Sequence, residues 1–123
     1  MTTDKPDQGD RVERLRAELL VSGLSDWVSL GEVQQIISAF RLAGSDEDRR
    51  TLVTATIGSL LREGLMELGE LPAPGDPFLA WTPVANALDR LRERFVEHYD
   101  EPETWDYSIW LNLTELGRQV AEA

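Results

Sequence analysis

His98 is the one histidine in the chain, and it stands between Glu97 and Asp100. An imidazole beside carboxylates is the usual material of a general base, so a reaction would be sought here first. Nothing nearby completes one. No nucleophile motif, phosphate loop or dinucleotide fingerprint occurs in the chain. A histidine at the end of a helix also gains from the helix dipole whatever its role. The carboxylates Asp100, Glu101, Glu103 and Asp106 follow closely, but they lack the ligand spacing and the glycine of a calcium loop. There is no cysteine, which removes disulfides, thiolate metal sites and thiol nucleophiles together. The expectation is a protein that is not an enzyme and uses no cofactor and no metal.

Charge says more than any single residue. The net charge is −11, and it is uneven. Residues 1–64 carry 8 Lys/Arg against 11 Asp/Glu, and residues 65–123 carry 4 against 12. A field of that sign repels phosphate backbones and attracts basic partners. Aromatic residues share the acidic half: Phe78, Trp81, Tyr99, Trp105, Tyr107 and Trp110. Aromatic anchors inside a charged rim are how tight protein interfaces are built. The expected protein-binding set is Asp76, Phe78, Glu97, Tyr99, Asp100, Glu101, Glu103, Trp105 and Asp106. Trp81 and Trp110 are expected in the core, while Trp105 suits core or interface equally.

The elements that must position these residues are legible from periodicity and caps. Val12, Leu15, Leu19 and Leu20 recur at helical spacing, so a first helix is expected over Asp10–Ser22, capped by Asp10 and ended by Gly23. Trp27–Ser29 suits a very short strand. Ser29 with Glu32 forms a capping box for a second helix that ends near Ala43 and Gly44; its stripe is Val33, Ile36, Ile37 and Phe40. Ser45 with Asp48 opens a third, with Gly64 at its left-handed C-terminal cap. Leu65–Leu71 alternates as a strand, and a proline-rich loop follows. Thr82 and Pro83 start a fourth helix reaching Tyr99, with Val84, Leu88, Leu91, Phe95 and Tyr99 inward. Asp100–Thr104 is an acidic loop, and Trp105–Leu113 a second strand. Thr114 caps a last helix, Glu115–Ala121, with Leu116 and Val120 inward.

Three helices followed by a two-stranded hairpin resemble the winged-helix superfamily. The stretch Ala55-Thr56-Ile57-Gly58-Ser59-Leu60-Leu61-Arg62-Glu63-Gly64-Leu65-Met66-Glu67 is similar to its recognition helix running into the first wing strand. Leu113-Thr114-Glu115-Leu116-Gly117-Arg118 resembles the second wing strand entering a closing helix. The likeness covers about residues 10–71 and 105–122, and the wing between them is interrupted by a helix. The chain is also loosely similar to small acidic bacterial proteins, some of which are immunity proteins of contact-dependent or polymorphic toxin systems.

In a DNA-reading winged helix the third helix enters the major groove and needs basic or amide side chains there. This one offers Arg49, Arg50 and Arg62 at its ends, with Thr51, Thr54, Thr56 and Ser59 between and Asp46, Glu47 and Asp48 at its start. Arg49 and Arg50 are expected to pair with Asp46 and Glu47. Affinity for DNA is mostly counterion release by basic contacts, and few exist here. The sequence therefore points to a mainly α, α+β fold with a small antiparallel hairpin: a disordered segment 1–8, then one winged-helix-like domain over 9–123. The polar start and the lack of a long apolar run suggest a cytoplasmic protein with no membrane association. Its expected function is to bind a basic protein, most concretely a nuclease-type toxin whose active site it covers. The alternative is a DNA-binding regulator using Arg49, Arg50, Thr54 and Arg62, with a homodimer open in either case.

Overall fold

A computed structural model describes residues 8–123. The order is α1 (Gln8–Ser25), β1 (Val28–Ser29), α2 (Leu30–Ala39), α3 (Asp46–Arg62), β2 (Met66–Glu70), β3 (Leu79–Ala80), α4 (Val84–Leu91), a π-helical turn (Arg92–Val96), α5 (Pro102–Trp105), β4 (Trp110–Leu113) and α6 (Glu115–Glu122). The fold is mainly α with a small antiparallel sheet, and no described helix is long and apolar enough to cross a membrane. The sheet is larger than a hairpin. Its four strands lie in the order β1-β4-β2-β3, each antiparallel to its neighbour. Met66 pairs with Leu113 and Leu68 with Leu111, so the two long strands meet across about 40 residues of chain. One core underlies it, built from Leu15 and Leu19 of α1, Val33 and Ile37 of α2, Leu52, Ile57 and Leu60 of α3, and Met66, Leu68, Ile109 and Leu111.

The serine and threonine caps form as their spacing predicts. Ser29 Oγ accepts from Glu32 N at 3.1 Å, Ser45 Oγ from Asp48 N at 3.1 Å, and Thr114 Oγ1 from Gly117 N at 3.0 Å. Gly64 closes α3 with φ 73°, a conformation that glycine adopts without strain.

Other boundaries move, each for a packing reason. α1 begins at Gln8, so Asp10 lies inside the helix, and residues 1–7 of the expected disordered start lie outside the described ones. Gly23 does not stop α1. A Cβ there would stand 3.1 Å from Leu113 Cβ, so the glycine lets the helix lie close on the sheet. α2 ends at Ala39 rather than near Ala43, because Arg41 turns left-handed at φ 52°. Phe40 thereby leaves the apolar stripe and is 41% exposed. Pro83, not Thr82, takes the position before α4. The second strand starts at Trp110, not Trp105, since Pro102–Trp105 forms a turn of helix where an acidic loop was expected. In α6 the inner face is Gly117 and Ala121, while Leu116 and Val120 point outward at 49% and 45% exposure. The backbone of Leu65 presses on Gly117 too closely for any larger residue, which turns the long side chains away.

Gly69 gives a sharp test of the sheet. A Cβ there would fall on the Leu79 carbonyl and within 2.9 Å of Ala80 Cα. Backbone cannot yield as a flexible side chain can. Gly69→Ala is expected to cost about 3 kcal/mol through overpacking, read as a lower urea midpoint. An unchanged midpoint would remove β3 from the sheet.

Candidate functional site

The inserted segment between β2 and β4 decides what surface the protein presents. α4 and the π turn pack against α3, the helix that would enter a DNA groove. In the π turn the Glu97 N–H donates to the Arg92 carbonyl at 3.0 Å; such turns are frequent at functional sites. The turn buries Phe95 completely. Phe95 meets Tyr99 edge-on at 5.4 Å and Trp105 edge-on at 4.9 Å, and Tyr99 stacks on Trp105 at 5.8 Å. Tyr99 also fastens the segment to the helices beneath it. Its hydroxyl accepts from Gln34 Nε2 at 3.1 Å and donates to Asp46 Oδ1 at 3.3 Å, and the Arg50 guanidinium lies 4.8 Å over its ring.

This arrangement occupies the arginines of the third helix. Arg49 donates to the Gln34 carbonyl at 3.3 Å and to Ser38 Oγ at 2.7 Å, instead of pairing with Asp46 or Glu47. Arg50 lies over the Tyr99 ring, a contact that uses none of its N–H groups. Thr56 is buried, and the Thr54 hydroxyl donates to the Arg50 carbonyl at 2.8 Å. Arg62 is exposed at the far end. Just beyond it Glu63 accepts a two-pronged pair from Arg16 at 2.9 and 3.1 Å. Hydrogen bonding and charge from Arg16, then Ser59, hold its carboxyl below the usual range. Of the four residues of the DNA-reading alternative, Arg62 alone is exposed and the other three are partly buried.

The tryptophans divide differently from expectation. Trp105 is 4% exposed and donates to the His98 carbonyl at 3.1 Å, so its ring is core and offers nothing to a partner. Trp81 is buried as expected; it donates to Glu70 at 2.9 Å and lies under Arg90 and Arg94. Trp110, expected in the core, is half-buried and donates to the Tyr107 carbonyl at 2.8 Å. Asp76 and Phe78 belong to the loop between β2 and β3. Asp76 is exposed there, and Phe78 packs on Trp27 with centroids 5.5 Å apart. Among the described residues no hydrogen bond or ring contact joins that loop to the 97–106 segment.

What remains on the surface is local and acidic. Glu97, Asp100, Glu101 and Glu103 are exposed. Among the described residues, Glu101 alone of these four forms an ion pair, with His98 at 3.0 Å. Tyr99 and Asp106 are partly buried. The carbonyls of Asp106 and Ile109 take the first amides of α2, Gly31 N at 3.1 Å and Leu30 N at 3.0 Å. The chain from 106 to 109 is thus clamped to the start of α2, and this swings Tyr107 out to 70% exposure. Alternation had suggested that Tyr107 belonged with Ile109 and Leu111 on a strand face; the α5 turn breaks that alternation. Tyr107 instead borders a groove of about 450 Å³ with Glu32, Gln35, Ile36 and Ala39 of α2 and with Phe40 just beyond it.

His98 reports on this surface. The hydrogen bond that Nδ1 donates to the Glu101 carboxylate is the main cause that raises its pKa above 6.5; desolvation opposes it, and the charges of Glu101, Glu97 and Asp100 add to it. A raised folded value means the pair supports the fold below about pH 6.5 and loses that support as pH climbs through the folded value. Proton NMR should place the His98 midpoint above 6.5 in the native protein and nearer 6.5 in Glu101→Gln. Equal midpoints would show that the contact does not persist in solution.

Comparison with protein-family models, with curated proteins and with solved structures finds no match for this chain.

Proposed function

We propose that the chain is a winged-helix domain whose interrupted wing has become a binding surface for a basic protein. The reading of the fold is supported by the element order and by the placing of β1 and β2 on either side of β4. The functional reading rests chiefly on one observation. The insertion lays its aromatic side on α3 and leaves Glu97, Asp100, Glu101 and Glu103 exposed, and the chain that follows them carries the protruding Tyr107.

An aromatic anchor at a groove of mixed polarity, on a chain segment that also exposes four carboxylates, suits a partner rich in Lys and Arg. The ring offers packing area and a cation–π face, and the rim speeds encounter. The most concrete partner is a nuclease-type toxin, whose phosphate-binding cations the carboxylates would occupy in place of nucleic acid. The protein then acts by covering a site and catalyses nothing. The purified product of a toxin-like gene adjacent to its own should form a stable complex and lose nuclease activity on mixing. A product that neither binds nor loses activity removes the immunity reading.

A further inference from the structure

The seam where the π turn meets α3 is a groove of about 450 Å³ lined by Glu47, Arg50, Thr51, Thr54, Ala55, Arg92 and Val96. Its volume falls within the range of small-molecule sites. Its charge runs against that of the molecule: two arginines and one carboxylate, from different elements, line it in a protein of net charge −11. Among the described residues Arg50 forms no ion pair, and Arg92 pairs with Asp89 alone, through one nitrogen at 3.2 Å. A guanidinium presents five N–H donors in a fork suited to a carboxylate, so both retain donor capacity.

We propose that this seam binds a small organic monoanion, its carboxylate held by Arg50 and Arg92 and its apolar body resting on Ala55 and Val96. The neighbouring charges select this class over phosphates. Glu47 lines the groove, and Asp46 and Asp48 flank it in the chain, so a dianion or a nucleic-acid backbone meets like charge. A monocarboxylate carries half that repulsion and gains the apolar wall. The site uses other side chains than the acidic surface does, and it stands or falls separately from the protein-binding reading.

The test titrates the full ¹⁵N-labelled chain with 2-naphthoate, in parallel with 2-naphthalenemethanol and inorganic phosphate. The expected result is saturable shifts in amides of residues 50–55 and 92–96 with naphthoate alone. Arg92→Gln should weaken that binding about tenfold, the loss of one charge-assisted contact, while leaving the rest of the spectrum unchanged. Arg92 is exposed and outside the core, so this variant tests the site without testing the fold. Absence of saturable shifts overturns the proposal. So do equal shifts with the neutral alcohol, equal shifts with phosphate, or full affinity in Arg92→Gln.

Discussion

Phe95→Ala is expected to destabilise the protein by about 3–5 kcal/mol, the usual cost of emptying a buried phenylalanine site. Phe95 is completely buried and makes edge-on contacts with both Tyr99 and Trp105. Such ring pairs contribute about 0.5–1.5 kcal/mol beyond the area they bury, so the loss should fall toward the upper end. The two rings left behind cannot collapse into the cavity easily. Tyr99 is held by Gln34, Asp46 and Arg50, and Trp105 by the His98 carbonyl. Domains of this size are stable by about 5–15 kcal/mol, so the change consumes much of the total. Urea unfolding followed by tryptophan fluorescence measures it. One transition at a lower midpoint is expected if the insertion folds as part of the single core. Two separated transitions would show that the insertion is an independent appendage. Tyr107→Ala, removing a ring that is 70% exposed, should stay within about 0.5 kcal/mol of the native value.

The second large effect is on association. Neutralising the rim together, as Glu97→Gln, Asp100→Asn, Glu101→Gln and Glu103→Gln, should slow binding to a basic partner by about 10-fold to 100-fold, because complementary fields act mainly on encounter. Dissociation should change less. Tyr107→Ala should do the reverse. An aromatic anchor at the centre of an interface contributes about 2 kcal/mol or more, which is about a 30-fold faster dissociation at an unchanged association rate. Surface plasmon resonance with a basic nuclease-type toxin, the proposed class of partner, separates the two. If the rim variant changed only dissociation, the acidic surface would be a contact patch and not a steering field. If neither variant changed either rate, the partner would bind elsewhere. Neither variant touches the Phe95 cluster, so loss of folding does not confuse the outcome.

Much of this architecture is legible in local signals. Ser29, Ser45 and Thr114 cap their helices because a hydroxyl three residues before an amide satisfies it whatever the tertiary context. Gly64 closes α3 for an equally local reason. Features set by distant contacts are not legible. The spacing of Leu116 and Val120 reads as a core stripe, yet contact of α6 with the Leu65 backbone requires Gly117 on the inside. Trp105 lies in an alternating stretch that reads as strand, but the Phe95 and Tyr99 rings draw it into the core at the end of a helical turn. β3 is two residues long and carries no periodicity to detect.

The same division holds for the site. Glu97, Asp100, Glu101 and Glu103 are found by charge alone, since exposed carboxylates need no partner. Tyr107 is recognised only once the 106–109 segment is tied to the start of α2. Arg49 and Arg50 read as partners of Asp46 and Glu47 because nothing in the sequence reveals that Ser38, Gln34 and Tyr99 lie beside them instead.

The central claim is that the insertion, and not the third helix, is the working surface. Its most direct test compares two affinities of the native protein at one physiological salt concentration: for a basic nuclease-type toxin of the proposed partner class, and for duplex DNA from upstream of its own gene. A tight protein complex is expected, and DNA affinity no better than the non-specific range of about 10⁻⁴–10⁻⁶ M. A sequence-specific DNA complex that is lost on replacing Arg49 and Arg50, with no protein complex formed, would contradict it.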